Sequence, residues 1–211
     1  MSAIFLDLDG TLTDPKPGIT GAVIHALDTL GLDNFTQDQL EWVIGPPLLD
    51  SFAKLGAPDP HQALALYRAH YTAGGMYDCT VYDGIHDALE TLVAAGHRLF
   101  LATAKPIVYA TKITAHFGLD PHMEQQFGPE LDGTFNDKGD LLRHALGLTG
   151  IDPQDAYMVG DRHSDFTAAK VNGITSLGVT WGYGGQDELE NADALCSMPR
   201  QLASDLARLI G

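Results

Sequence analysis

The chain has 211 residues, 45% of them hydrophobic and 19% charged, which suits a globular protein with one sizeable core and room for an inserted subdomain. Twelve Lys and Arg stand against 28 Asp and Glu, and the formal net charge of -16 repels polyanions such as nucleic acid and anionic membrane. Any small anionic ligand then needs local help, from a metal ion or from a few placed cations.

Cys79 and Cys196 are far apart and lack a CxxC spacing, so neither a disulfide framework nor a zinc site is expected, and a reducing cytoplasm fits that usage. The first apolar run, Ala3 to Leu6, is too short for a secretory signal, and no apolar stretch approaches the roughly 18 residues a membrane span needs.

In chain order, Ala3-Ile-Phe-Leu6 reads as a buried strand that ends in the acidic segment Asp7-Leu-Asp-Gly-Thr11. Residues 15–81 hold helical patterns (Ile19 to Leu30, Gln37 to Ile44, His61 to Ala73) and no convincing strand, so they read as an all-helical insertion. Gly74-Gly75 marks the return from it. Beyond it, apolar runs at Arg98 to Ala102, Ala156 to Val159 and Ile174 to Val179 alternate with helical patterns at Ile85 to Ala95, Ile107 to Phe117, Lys138 to Leu146 and Ser164 to Val171. That alternation predicts an α/β fold, a doubly wound parallel sheet built from residues 1–14 and 82–211, with residues 15–81 as a small helical cap.

In such sheets reactive groups gather beyond the carboxyl ends of the strands, so the residues that follow each strand form one set. Here that set is Asp7 and Asp9, Thr103 and Lys105, Lys138 at a helix start, and Asp161 with Asp165. Carboxylates, a hydroxyl and two lysines therefore converge. In this the chain resembles the haloacid dehalogenase-like superfamily, whose signature is four motifs in fixed order. They match D-L-D-G-T at Asp7 to Thr11, L-A-T at Leu101 to Thr103, Lys138, and G-D-R-H-S-D at Gly160 to Asp165. The first and last are specific; the middle two carry weight only beside them.

Phosphoryl transfer needs positioning and charge neutralisation, and a carboxylate acceptor splits hydrolysis into two steps. Asp7, the first acid off the strand, suits the nucleophile. Asp9 suits a general acid that protonates the leaving oxygen and then a base for water. Gly10 lets the backbone approach a phosphate, Thr103 can donate a hydrogen bond, and Lys138 can balance charge. Mg2+ takes one or two protein carboxylates in octahedral oxygen coordination. Asp7 and Asp161 fit, and the resemblance adds the backbone carbonyl of Asp9, with Asp165 supporting from behind. Gly10, Thr11, Ala104, Lys105, Lys54 and Arg162 complete the candidate set as substrate-binding residues.

Plainer readings stand beside these. Asp165 can be an N-terminal helix acid, Thr103 can satisfy a loop amide, Lys105 can be a solvated helix start, and Arg162 can pair on the surface. Trp42, Phe52 and Tyr67 read as the insertion's own core. The histidines show no ligand spacing, and only His163, inside the last motif, is placed near the acids.

Asp9 stands where dehalogenases of the superfamily lack an acid, so ester hydrolysis is favoured over dehalogenation; a phosphomutase and a non-catalytic binding protein are the rivals. The resemblance implies a Mg2+-dependent cytoplasmic phosphatase, monomeric or homodimeric, acting on a small phosphorylated metabolite and on neither nucleic acid nor membrane. Ile44-Gly-Pro-Pro-Leu48, Thr103-Ala-Lys-Pro106 and Trp181-Gly-Tyr-Gly-Gly185 lean to the phosphoglycolate phosphatase-like and bacterial 5'-nucleotidase-like branches. Phosphoglycolate is the expected substrate, with a nucleoside monophosphate as the alternative.

Overall fold

A computed structural model describes residues 1–211. The strands are β1 (Ala3–Leu6), β2 (Thr13–Asp14), β3 (Thr80–Val81), β4 (Arg98–Ala102), β5 (Gln125–Phe127), β6 (Ala156–Gly160), β7 (Thr175–Val179) and β8 (Ala194–Cys196). The helices are α1 (Lys16–Thr29), α2 (Leu48–Lys54), α3 (Pro60–Thr72), α4 (Ile85–Ala94), α5 (Ile107–His116), α6 (Lys138–Thr149), α7 (His163–Asn172), α8 (Gln186–Leu189) and α9 (Leu202–Ile210). Two compact units result: Met1–Thr13 with Val81–Gly211, and Asp14–Thr80. The sequence reading draws the same divisions one residue later in the chain.

The first unit is a six-stranded parallel sheet in the order β5-β4-β1-β6-β7-β8. Strand β1 is buried along its whole length, as expected of a central parallel strand that is apolar on both faces. On one face Phe5 stacks on Phe100 at 5.1 Å between ring centroids, and both join Leu141, Leu142, Met158, Ala168 and Ile174 in a continuous core. The chain leaves β1 for one side of the sheet and later returns to the other. The order therefore reverses at β1, which opens a crevice beyond its carboxyl end.

Register decides what meets in that crevice. Leu6 lies opposite Leu101 on one side and Val159 on the other, and the Asp7 N-H continues the ladder to Val159 O at 2.9 Å. Asp7 thus stands level with Ala102 and Gly160, and Thr103 and Asp161 come one residue further, a step of about 3.3 Å.

The second unit is helical apart from one residue each of β2 and β3. Its core gathers Val23, Ala26 and Leu27 of α1 with Phe52 of α2 and Tyr67 and Tyr71 of α3, where Phe52 meets Tyr67 edge-on at 6.3 Å and Tyr67 stacks on Tyr71 at 5.2 Å. Two of the three aromatics read as cap core, Phe52 and Tyr67, are buried; Trp42 is instead 40% exposed.

Four expectations need correction. The stretch read as a helix from Gln37 to Ile44 is a 3-10 segment, Asp38–Val43. Helix α2, directly after Pro47, lies in a stretch given no helical pattern. Strand β3 enters the region read as strand-free, although two residues carry no periodic signal. Strands β5 and β8 are three-residue edges that no apolar run announces.

Candidate active site

Asp7 leaves β1 buried, and its Oδ1 lies 3.0 Å from Lys138 Nζ, which also contacts Asp165 Oδ1. Lys138 is the first residue of α6, placed there by Asp137, whose side chain accepts the Asp140 N-H at 2.9 Å and caps the helix. Asp165 is spent on structure as well as charge, because its Oδ2 accepts the Arg162 N-H at 2.9 Å at the head of α7. Asp165 is thus an acid of the first turn of α7 that also contacts Lys138.

Asp9 Oδ2 pairs with Lys105 Nζ at 2.8 Å. Lys105 is buried, so it is no solvated helix start; its ammonium is held on the proposed acid-base residue. Thr103 is buried, and its hydroxyl accepts the Lys105 N-H at 3.2 Å. That is the loop-amide reading, yet a hydroxyl accepting one bond keeps a proton to donate. Ala104 between them is exposed.

Asp161 is fully buried, with Oδ1 accepting from Thr11 Oγ1 at 3.3 Å and Oδ2 from the Tyr183 N-H at 2.7 Å. Two expectations change here. Thr11, expected to bind substrate, is fully buried and donates to Asp161. Gly10 has φ +83°, and a Cβ there would overlap the Asp161 carboxylate, so the close approach it permits is to Asp161.

Of the remaining candidates, Arg162 Nε donates to Glu188 Oε2 at 3.1 Å, with both side chains half-buried. His163 has its ring nitrogen 3.0 Å from Thr167 Oγ1 and its N-H on Glu188. Lys54 belongs to the helical unit, where its ammonium lies 5.9 Å over the Trp42 ring. Sequence reasoning missed Tyr183 and Glu188 as partners of these groups. The Trp181 to Gly185 motif was the only signal for the first, and nothing marked the second.

The electrostatics follow from burial. Four carboxylates (Asp7, Asp9, Asp161, Asp165) meet two ammonium groups (Lys105, Lys138), so carboxylates outnumber cations two to one. Burial pushes the Asp161 carboxyl up to about 8, with the charges of Asp165 and Asp7 adding to it. Asp165 is raised to about 6 by burial, against the pull of Lys138. Asp9 is raised by burial too, while Lys105 opposes the rise. For Lys138 burial is outweighed by Asp165 and Asp7, which hold its ammonium firmly charged. Oxygens of Asp7, Asp161 and Asp165 lie within 4.8 Å of one another, and Asp9 Oδ1 is buried without a hydrogen bond. An excess of carboxylates over ammonium groups, with oxygens of three of them gathered this closely, fits a divalent cation of the Mg2+ kind.

A parallel sheet whose switch point presents a buried strand-end carboxylate, a second acid two residues on and a lysine bridging to further acids defines a phosphoryl-transfer hydrolase. The chain belongs to the haloacid dehalogenase-like hydrolase family, whose model matches residues 4–179. It is 42% identical over 209 residues to a 5'-nucleotidase of Pseudomonas aeruginosa, covering 98% of this chain and 92% of that one. A tyrosine-protein kinase PtkA of Mycobacterium tuberculosis is 34% identical, covering 99% of this chain and 72% of that one. Among solved structures, a predicted phosphatase from Clostridium acetobutylicum superposes with a TM-score of 0.92 at 35% identity over 98% of both chains. The protein is a phosphatase of this family.

Proposed function

We propose that the protein hydrolyses nucleoside 5'-monophosphates through a phosphoryl group carried on Asp7, with Mg2+ held by Asp7 and Asp161 and by the backbone carbonyl of Asp9. The observation that carries the chemistry is the Asp7 carboxylate, buried at the end of β1 with its Oδ1 3.0 Å from Lys138 Nζ. An Asp7 oxygen attacks phosphorus while the bond to the ester oxygen breaks. Asp9 gives that oxygen its proton, so it must enter the step protonated, and the burial that raises its pKa favours this. Water then attacks the phosphoryl group on Asp7, Asp9 takes its proton back, and phosphate leaves. Lys138 balances the charge on Asp7 throughout, and Thr103 has a proton to offer a phosphate oxygen. Bound Mg2+ supplies charge neutralisation for the phosphate oxygens.

The substrate class is read from the likeness to a 5'-nucleotidase, which covers 98% of this chain. Phosphoglycolate is the second reading, supported by a 30% identity over 193 residues to a phosphoglycolate phosphatase of Colwellia psychrerythraea.

The test is turnover of purified protein on both substrates, with Mg2+ and with chelator. Nucleotide hydrolysis is expected to require Mg2+ and to be abolished in Asp7→Asn, because an amide is neither a nucleophile nor an anionic ligand. More than a few per cent of activity left in that variant sinks the mechanism. Preference for phosphoglycolate overturns only the substrate.

A further inference from the structure

We infer that the loop Trp181–Gly185 after β7 is a positioning clamp for the metal site, with Trp181 as its key side chain. Trp181 carries no charge. Its indole Nε1-H donates to Thr11 O at 3.1 Å, and its ring packs edge-on against Tyr82 at 6.3 Å. Thr11 in turn donates its hydroxyl to Asp161 Oδ1, and two residues beyond Trp181 the Tyr183 N-H holds Asp161 Oδ2. Trp181, Thr11, Asp161 and Tyr183 thus form a closed ring of hydrogen bonds and chain. It ties the segment that follows Asp7 and Asp9 to the carboxylate at the end of β6.

The glycines of the motif have a spatial reason. A Cβ at Gly182 would overlap Asp161 Oδ2 and Gly10 O, and one at Gly184 would overlap Asp161 O. Neither position has a left-handed backbone, so what requires glycine is the loop lying directly on Asp161. Each oxygen of Asp161 is thereby given one donor and a fixed direction. A carboxylate held in this way binds a cation without first losing rotamer freedom, and groups that orient ligands from behind typically change metal affinity about ten- to a hundred-fold when removed.

The inference rests on the proposed Mg2+ site, and the experiment separates the two. Calorimetric titration of Mg2+ into wild type, Trp181→Phe and Gly182→Ala is combined with melting temperatures in chelator and with KM at saturating Mg2+. Phenylalanine keeps an aromatic ring and loses only the donor. Trp181→Phe is expected to weaken Mg2+ binding by about ten-fold or more, with a smaller change in KM and a chelated melting temperature near that of wild type. Gly182→Ala is expected to weaken Mg2+ binding further, because its methyl group displaces Asp161. Mg2+ binding within two-fold of wild type in either variant overturns the clamp. So does a loss in Trp181→Phe matched by an equal shift in KM and a large drop in chelated melting temperature, the mark of general damage. A wild type that binds no Mg2+ overturns the metal assignment and the clamp together.

Discussion

At the residue scale, each member of the acidic cluster is distinguished by what already holds it. Asp165 has both oxygens committed to Lys138 and to the Arg162 N-H, Asp161 is held by two neutral donors, and Asp7 has its Oδ1 against Lys138. The cost of this arrangement appears in the pH dependence of stability. Asp161 has a folded-state pKa of about 8, against about 3.9 when unfolded. A raised pKa contributes stability that is fully present below the unfolded value and is lost as pH rises through the folded one. Between pH 6.5 and 8.5 the melting temperature of the chelated protein should therefore fall, and Mg2+ should restore it most at the upper end, by binding the ionised form. Scanning fluorimetry at a series of pH values, with and without Mg2+, checks this. A flat or rising chelated curve counts against an uncompensated Asp161.

At the element scale, two helical glycines should respond in opposite directions. Gly18 in α1 donates its N-H to Asp78 O at 2.8 Å and lies against Gly75 O, where a Cβ would overlap that carbonyl. Gly18→Ala should cost about 1 to 3 kcal/mol, as forced overpacking does. Gly147 in α6 is exposed, and a Cβ added there would meet nothing within 4 Å. Gly147→Ala should add about 0.5 to 1 kcal/mol by reducing the freedom of the unfolded chain. Melting temperatures of the two variants provide the comparison; a stabilised Gly18→Ala would show that α1 shifts to relieve the contact.

At the scale of the whole molecule, the net charge of -16 opposes an anionic substrate that the site must nonetheless admit. Raising ionic strength from about 10 to about 150 mM shortens the Debye length from about 30 to about 8 Å. At saturating Mg2+, kcat/KM for a dianionic phosphomonoester should then rise several-fold as the repulsion is screened. Steady-state kinetics in KCl reads this out, and a fall would show that local cations dominate the approach. No helix is long and apolar enough to cross a membrane.

The amino-acid sequence by itself determined the parallel α/β core, because buried central strands such as Ala3 to Leu6 must be apolar on both faces and each is followed by a helix-length pattern. It also determined which acids and lysines converge, since Asp7, Asp161 and Thr103 follow strands whose carboxyl ends share one edge. Short edges such as β5 and β8 stayed hidden, for three residues carry no period. Only the tertiary structure decided how the site residues are employed. Thr11 and Gly10, close in sequence to the nucleophile, serve Asp161 across the sheet, Lys105 is drawn inward onto Asp9, and Arg162 turns out to Glu188. The physical reason is that a hydrogen-bond or ion-pair partner is chosen by distance in space, and residues 150 positions apart, as Thr11 and Asp161 are, leave no local pattern that records the choice.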